Sequence, residues 1–95
     1  MKAYLLAFND FMGTQQSVLA FLDTRKEILH WCSILPHSII IVSELTAFQL
    51  ADIFRNQFPG RHFLISEIQG VSSDGWLPAW VWDFVNQPKS SGRWK

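Results

Sequence analysis

The feature that most constrains this chain is an apolar run of six residues, positions 3–8, which is followed by Asn9, Asp10 and Gly13. Six residues are too few to span a membrane, and the Asn, Asp and Gly that follow them break any helix. The run therefore predicts a β-strand with a carboxylate at its exit.

Both faces of this strand are apolar. Tyr4, Leu6 and Phe8 lie on one face because strand side chains alternate, and Asp10 is in phase with them. Leu5 lies on the other face between two alanines. Since a half-solvated strand would carry polar side chains on one face, the pattern predicts a central strand that is covered on both sides.

Length and composition predict a single globular domain with no membrane segment. The 95 residues suit one hydrophobic core, and 48% hydrophobic with 17% charged residues exclude a disordered chain. The formal net charge is zero, so nucleic acid would have to bind at a local basic patch. The single cysteine, Cys32, excludes an intrachain disulfide and a four-cysteine zinc site. With no secretory signal pattern, we expect a cytoplasmic protein.

Two amphipathic helices are predicted between the strands. Thr14 can cap the first helix, which ends near Asp23. Thr46 and Gln49 form a capping box that opens the second helix. The second helix ends at the Pro-Gly pair at positions 59–60.

Three further strands are predicted. Residues 28–34 and 38–42 are apolar and partly β-branched on either side of a turn, which predicts a hairpin, and residues 62–68 predict a fourth strand. The order β-α-β-β-α-β predicts an α+β, ferredoxin-like domain at residues 1–70. We expect a four-stranded antiparallel sheet with both helices on one face and the first and last strands at its centre.

The C-terminal part, residues 71–95, is assigned to the same domain. Pro78 suits the first turn of a short Trp-rich helix. One stripe of this helix is predicted to pack against the domain through Leu77, Val81, Phe84 and Val85. Trp82 is expected to project away from the stripe, and residues 89–95 form a polar tail.

A sheet with helices on one face leaves apolar residues uncovered on the other, and exposed apolar patches of that kind mark interfaces. The chain is therefore predicted to form a homodimer. The predicted interface residues are Tyr4, Leu6, Phe8, Trp80 and Trp82. The alternative is that residues 76–85 fold back over the open face of their own chain, which would leave a monomer.

Together these features resemble a known superfamily. The first strand ending in Asp10, the element order, and residues 38–46 leading into Gln49 and Leu50 are similar to the small CRISPR-associated adaptation protein, which has a nuclease-like ferredoxin fold, and to virulence-associated protein D toxins. The resemblance covers residues 1–68. It implies a homodimer in which the Asp at the end of the first strand, here Asp10, takes part in Mg²⁺-dependent phosphodiester cleavage. The first helix lacks the basic residues common in that family, and the Trp-rich helix stands in place of its final strand.

Each candidate site residue has two interpretations. Asp10 can hold Mg²⁺ with its symmetry mate, or it can be an ordinary turn residue. Trp82 and Trp94 can stack on bases or pack at a protein contact. Cys32 lies in an apolar run and is predicted to be an inert buried thiol, and the three histidines share no metal-ligand spacing.

Three functions stay open, and the sequence leaves undecided whether the chain is an enzyme. The residues themselves favour a non-catalytic, homodimeric interaction module of unspecified role. The resemblance implies instead a metal-dependent endonuclease that acts on RNA or DNA through Asp10. The third function is binding of a small aromatic or nucleotide ligand under the Trp-rich segment.

Overall fold

A computed structural model describes residues 1–92 of the chain. The strands are β1 at Lys2–Phe8, β2 at His30–Cys32, β3 at Ser38–Ser43 and β4 at Phe63–Ile68. The helices are α1 at Gln15–Leu22, α2 at Ala47–Gln57 and α3 at Ala79–Asn86, with a short 3-10 helix at Gly70–Ser72. The predicted order β-α-β-β-α-β is confirmed, with α3 following it.

Both predicted helix caps are present. Thr14 Oγ1 accepts a hydrogen bond from the backbone N–H of Ser17 at 3.1 Å, and α1 ends at Asp23 as expected. The N–H of Gln49 donates to Thr46 Oγ1 at 3.2 Å, and the N–H of Thr46 donates to Gln49 Oε1 at 3.0 Å. Because these bonds satisfy donors that have no partner within the first helical turn, local sequence sets the start of both helices.

The sheet has the order β2-β3-β1-β4, and every neighbouring pair is antiparallel. The predicted α+β class with a four-stranded antiparallel sheet is confirmed. The expectation that the first and last strands are central is wrong for the last strand, because β1 and β3 are central and β4 pairs with β1 alone among the described strands. The reason is that β3 returns from β2 by a tight turn and pairs with it, while each β-α-β connection leaves one strand between the two that it joins.

The face of the sheet beneath α1 and α2, called here the helix face, holds the main core. Its buried members are Tyr4, Leu6, Phe8, Met12, Val18, Leu22, Ile28, Ile39, Ile41, Leu50 and Phe54. The Tyr4 hydroxyl donates to the Leu45 carbonyl at 2.6 Å, so its one polar atom has a partner inside the core. Burial, with the Glu67 carboxylate as a second cause, raises the pKa of Tyr4.

Three of the predicted interface residues therefore lie inside the chain. Tyr4, Leu6 and Phe8 are 1%, 0% and 7% exposed because both helices pack on their face of β1. A second copy cannot reach these side chains without displacing the helices. Any interface between copies must use other residues, and this part of the interface prediction is wrong.

The opposite face of the sheet, called here the second face, carries three cross-strand rows. The register aligns Ile68, Ala3, Val42 and His30; then Ser66, Leu5, Ile40 and Cys32; then Leu64, Ala7 and Ser38. Helix α3 packs on this face, where its Val81 is fully buried and lines a small cavity with Cys32 and Ile40. The alternative in which the Trp-rich segment folds back over its own sheet is the arrangement that the structure has.

The packing stripe predicted for α3 is only partly correct. Val81 and Val85 are buried as expected, but Phe84 is half-buried, with its ring centroid 4.7 Å from that of His30. Trp82 does not project away, since it is half-buried and lines a groove on the second face. Nearly every side of α3 is apolar, so its sequence does not define a single stripe.

Val81→Ala tests the docking of α3. Removing two methyl groups from this fully buried side chain is expected to lower the free energy of unfolding by about 2 kcal/mol. Trp80→Ala is the control on the same helix, because Trp80 is 53% exposed, and its effect is expected to stay below ~1 kcal/mol. Urea denaturation followed by circular dichroism measures both. Equal effects of the two changes would contradict packing of α3 on the sheet.

Candidate functional site

Asp10 lies in a tight turn directly after β1. The N–H of Met12 donates to the Asn9 carbonyl and the N–H of Gly13 donates to the Asp10 carbonyl, both at 3.1 Å. Gly13 has a φ of +137°, a conformation that glycine adopts without a steric cost. The turn holds the Asp10 side chain away from the core, and that side chain is 85% exposed.

The structure brings His37 to Asp10. His37 Nε2 lies 3.2 Å from Asp10 Oδ1, and the N–H of Phe8 donates to the His37 carbonyl at 3.0 Å. The φ of His37 is +57°, in the left-handed region that is uncommon for residues other than glycine. The pair is an ion pair when His37 is protonated, and a neutral imidazole can donate one hydrogen bond to the carboxylate.

Nothing in the sequence pattern joins Asp10 and His37, because their contact depends on which strand lies beside β1. Antiparallel pairing of β1 with β3 places the end of the first strand beside the start of the other. The signal that could have found this contact is the hairpin turn before β3, because the end of that turn comes next to the end of β1 once β3 is the neighbour of β1. The contact between Asp10 and His37 was not predicted, because the fourth strand rather than β3 was expected to be central.

The ligands around Asp10 are incomplete for Mg²⁺. This ion requires near-octahedral coordination, mostly by oxygen, and Asp10 supplies one carboxylate beside an imidazole nitrogen. The Asp23 carboxylate is at the other end of α1, where it accepts from the Trp31 indole N–H at 2.8 Å. Within residues 1–92, no group of three or more His, Cys, Asp or Glu side chains is placed to hold a metal ion. Water, substrate phosphates or a second chain would have to supply the other ligands.

A groove of about 390 Å³ opens between α3 and the second face. Its apolar lining consists of Leu5, Leu35, Ile40, Ile68, Leu77, Trp82 and Val85. Polar side chains, including Glu67 and Asp74, also line it. Pockets for small ligands are commonly ~300 to 1,000 Å³ in volume. This groove is therefore where the predicted small ligand under the Trp-rich segment would fit, with Trp82 as one wall.

A second groove, of about 490 Å³, runs along the outer edge of β4 and is called here the edge groove. Ala51 and Arg55 of α2 line one side, and residues 61–65 line the other. Two large apolar side chains flank this region, since Leu64 is 62% exposed on β4 and Phe48 is 71% exposed on α2. Sequence patterns did not single out either residue, because each lies among other apolar residues of its element, and those residues are buried or half-buried.

Cys32 is 6% exposed beneath α3, which confirms the expectation of a buried thiol. Burial raises the pKa of this thiol to about 11, because the charged thiolate loses its hydration. A nucleophilic cysteine needs the opposite shift, toward the thiolate at neutral pH.

We expect Cys32 to react slowly with a disulfide reagent in the native state. At pH 8 a thiol with a pKa of about 11 is ionised in roughly one molecule in a thousand. Because folding raises this pKa, stability from the neutral thiol is present below pH 9 and is lost as the pH rises from about 9 to about 11. Reaction with Ellman's reagent, with the chain unfolded in guanidinium as the control, measures the protection. Equal rates in the two states would contradict it.

Comparison of the chain with protein-family models, with curated proteins and with solved structures found no match. No helix within residues 1–92 is long and apolar enough to cross a membrane. Trp94, which is predicted to stack on bases or to pack at a protein contact, lies outside the described residues, as does the end of the predicted polar tail. The function is therefore inferred from the geometry of the described residues.

Proposed function

We propose that this protein is a homodimeric interaction module whose two copies meet along the β4 side of the sheet. The observation that carries the proposal is the open edge of β4, which pairs only with β1 among the described strands and borders the edge groove. An unpaired strand edge presents N–H and C=O groups that a second chain can pair with.

Strand β4 lacks the features that keep the edge strands of monomeric proteins apart. Its residues, Phe63–Ile68, include no Lys and no Pro, and its one charged side chain is Glu67. Unpaired edge strands are usually very short, or carry Lys, Pro or a bulge. With six residues β4 is as long as the central strand β3, which is enough for an extended ladder.

Apolar surface is exposed on both sides of this edge. Leu64 projects from the second face, and Phe48 projects from α2 on the helix face. Complete burial of a Leu or Phe side chain stabilises by about 1.5 to 3 kcal/mol, and a two-fold interface would bury each of them twice. The formal net charge of zero adds no overall repulsion between copies.

Light scattering coupled to size-exclusion chromatography tests the homodimer. The native chain is expected to elute at twice its mass of 11.0 kDa at micromolar concentration. Leu64→Lys should shift it to the monomer mass, because each interface would then bury two unpaired ammonium groups. Val71→Lys is the control, since Val71 is 98% exposed but lies outside the edge groove. A native chain that elutes as a monomer would contradict the proposal.

A second candidate function is metal-dependent phosphodiester cleavage at Asp10. The contact between Asp10 and His37 favours it, since a carboxylate for a metal ion and an imidazole for proton transfer are the groups that such a reaction uses. The superfamily resemblance is a second support. In this function Asp10 would hold the metal ion, substrate phosphates and water would supply its other ligands, and His37 would take a proton from the attacking water or give one to the leaving oxygen.

Incubation with labelled single-stranded RNA and double-stranded DNA, with Mg²⁺ or Mn²⁺ or with a chelator, tests this second function. Cleavage should require the metal and disappear in Asp10→Asn, because an amide is a poor ligand for a hard cation. Asp52→Asn is the control, since Asp52 is an exposed carboxylate on α2 that pairs with Arg55. Cleavage that survives Asp10→Asn, or no cleavage of either substrate, would rule the function out.

A further inference from the structure

We propose that two copies join their β4 strands in antiparallel pairing about a two-fold axis at Leu64, so that two four-stranded sheets become one continuous sheet. This pairing presupposes the homodimer proposed above and specifies its geometry. It assigns the backbone groups that bond across the axis, the side chains that meet, and the helices that lie side by side.

The backbone groups at the open edge follow from the ladder inside the chain. The N–H of Phe8 points to β3, because it donates to the His37 carbonyl. Backbone direction alternates along a strand, so Leu5 and Ala7 of β1 point to β4. Their partners Ser66 and Leu64 point back to β1. The N–H and C=O groups of residues 63, 65 and 67 therefore face outward and are the groups that a second chain can bond.

The two-fold register at Leu64 places apolar residues of one copy opposite apolar residues of the other. A two-fold axis perpendicular to the sheet keeps the helices of both copies on one side. To pair residues of the same face, the axis must pass through the position of one residue of β4. With the axis at Leu64, Phe63 bonds Ile65 of the other copy, and the two Leu64 side chains meet on the second face. An axis at Ile65 would place Phe63 against Glu67, and an axis at Ser66 would place Glu67 against Ile65. Of these three registers, only the one at Leu64 places each of Phe63, Leu64 and Ile65 opposite an apolar residue.

Charge complementarity supports the same register. Arg61 and Glu67 lie on either side of the apolar middle of β4 and carry opposite charges. With the axis at Leu64, Arg61 of each copy lies opposite Glu67 of the other, whereas parallel pairing in register would place like charges together. Arg55 and His62 line the edge groove near Arg61, at the start of β4. The acidic end of one β4 strand therefore meets the basic end of the other.

Helix α2 presents a matching side toward the axis. Ala51 and Arg55 line the edge groove, and Phe48 lies on the same side because the Arg55 guanidinium is 5.6 Å from the centre of its ring. These positions recur at i, i+3 and i+7, which form one stripe of a helix. The small Ala51 side chain lets a second α2 approach, and the exposed Phe48 then packs at that contact.

Disulfide trapping tests the register directly. Residues at a non-hydrogen-bonded antiparallel pair have Cα atoms about 4.5 Å apart, within the range that a disulfide spans. Leu64→Cys should therefore form a covalent dimer on mild oxidation, seen by non-reducing electrophoresis. Ser66→Cys is the matched control on the same strand and face, because its two copies would lie about 13 Å apart. The native chain is the second control, since its only cysteine, Cys32, is buried.

A covalent dimer with Leu64→Cys alone supports the pairing, and a covalent dimer with Ser66→Cys overturns it. No covalent dimer with Leu64→Cys, while light scattering still shows a dimer of this variant, would overturn the β4 pairing and leave the homodimer intact. A native chain that is monomeric would overturn both.

Charge reversal at Arg61 and Glu67 is a second test of the register. It measures the dimer dissociation constant and does not require a substitution at Leu64. Arg61→Glu and Glu67→Arg should each raise the dimer dissociation constant about tenfold, because each change creates two like-charge contacts across the axis. The double variant should restore the native value. Failure of the double variant to recover would contradict the contact, since the 3.9 Å pair between Glu67 and Lys2 inside the chain cannot be restored by Arg61→Glu.

Discussion

Strand β1 has to be paired along both edges and covered on both faces at the same time. Its edges are taken by β3 and β4, and its helix face is covered by Phe54, Leu50 and the apolar side of α1. The connection from β1 to β2 passes over β3, and the connection from β3 to β4 passes over β1. Each connection leaves the crossed strand between two others, so both edges of β1 are paired. A central strand that is apolar on both faces then needs a further layer, and α3 supplies it through Val81 and Val85.

Helix α3 is too short to cover the whole second face. Its eight residues extend about 12 Å, and Leu64, whose side chain lies on this face, stays 62% exposed. The uncovered remainder lies toward β4, where Leu64 is exposed and the groove beside Trp82 begins. The exposed Leu64 side chain and the groove beside Trp82 therefore both follow from one incomplete layer of side chains on the second face.

Local features of the fold could be read from the sequence, and non-local ones could not. The caps at Thr14 and Thr46 depend on side chains within four residues, so their chemistry is visible in the sequence. The neighbours of β1 depend on how the chain returns after each helix, and the pattern of β4 does not distinguish a central strand from an edge. For the same reason Asp10 was identified at the exit of the first strand while His37 was not, since only the sheet order brings the two together.

The sheet pairing also decides how Asp10 can act. In the β4 dimer, the two copies of β1 are separated by both β4 strands, so the two Asp10 carboxylates lie at least about 14 Å apart. Carboxylates that share one Mg²⁺ have their oxygens about 2.1 Å from the ion, so the two acids would have to be direct neighbours. Association through β4 therefore excludes the paired-Asp arrangement that the superfamily resemblance implies. A chain that dimerises through this edge would carry two separate Asp10 and His37 pairs at opposite ends of the joined sheet, and each would have to complete any metal coordination with substrate and water.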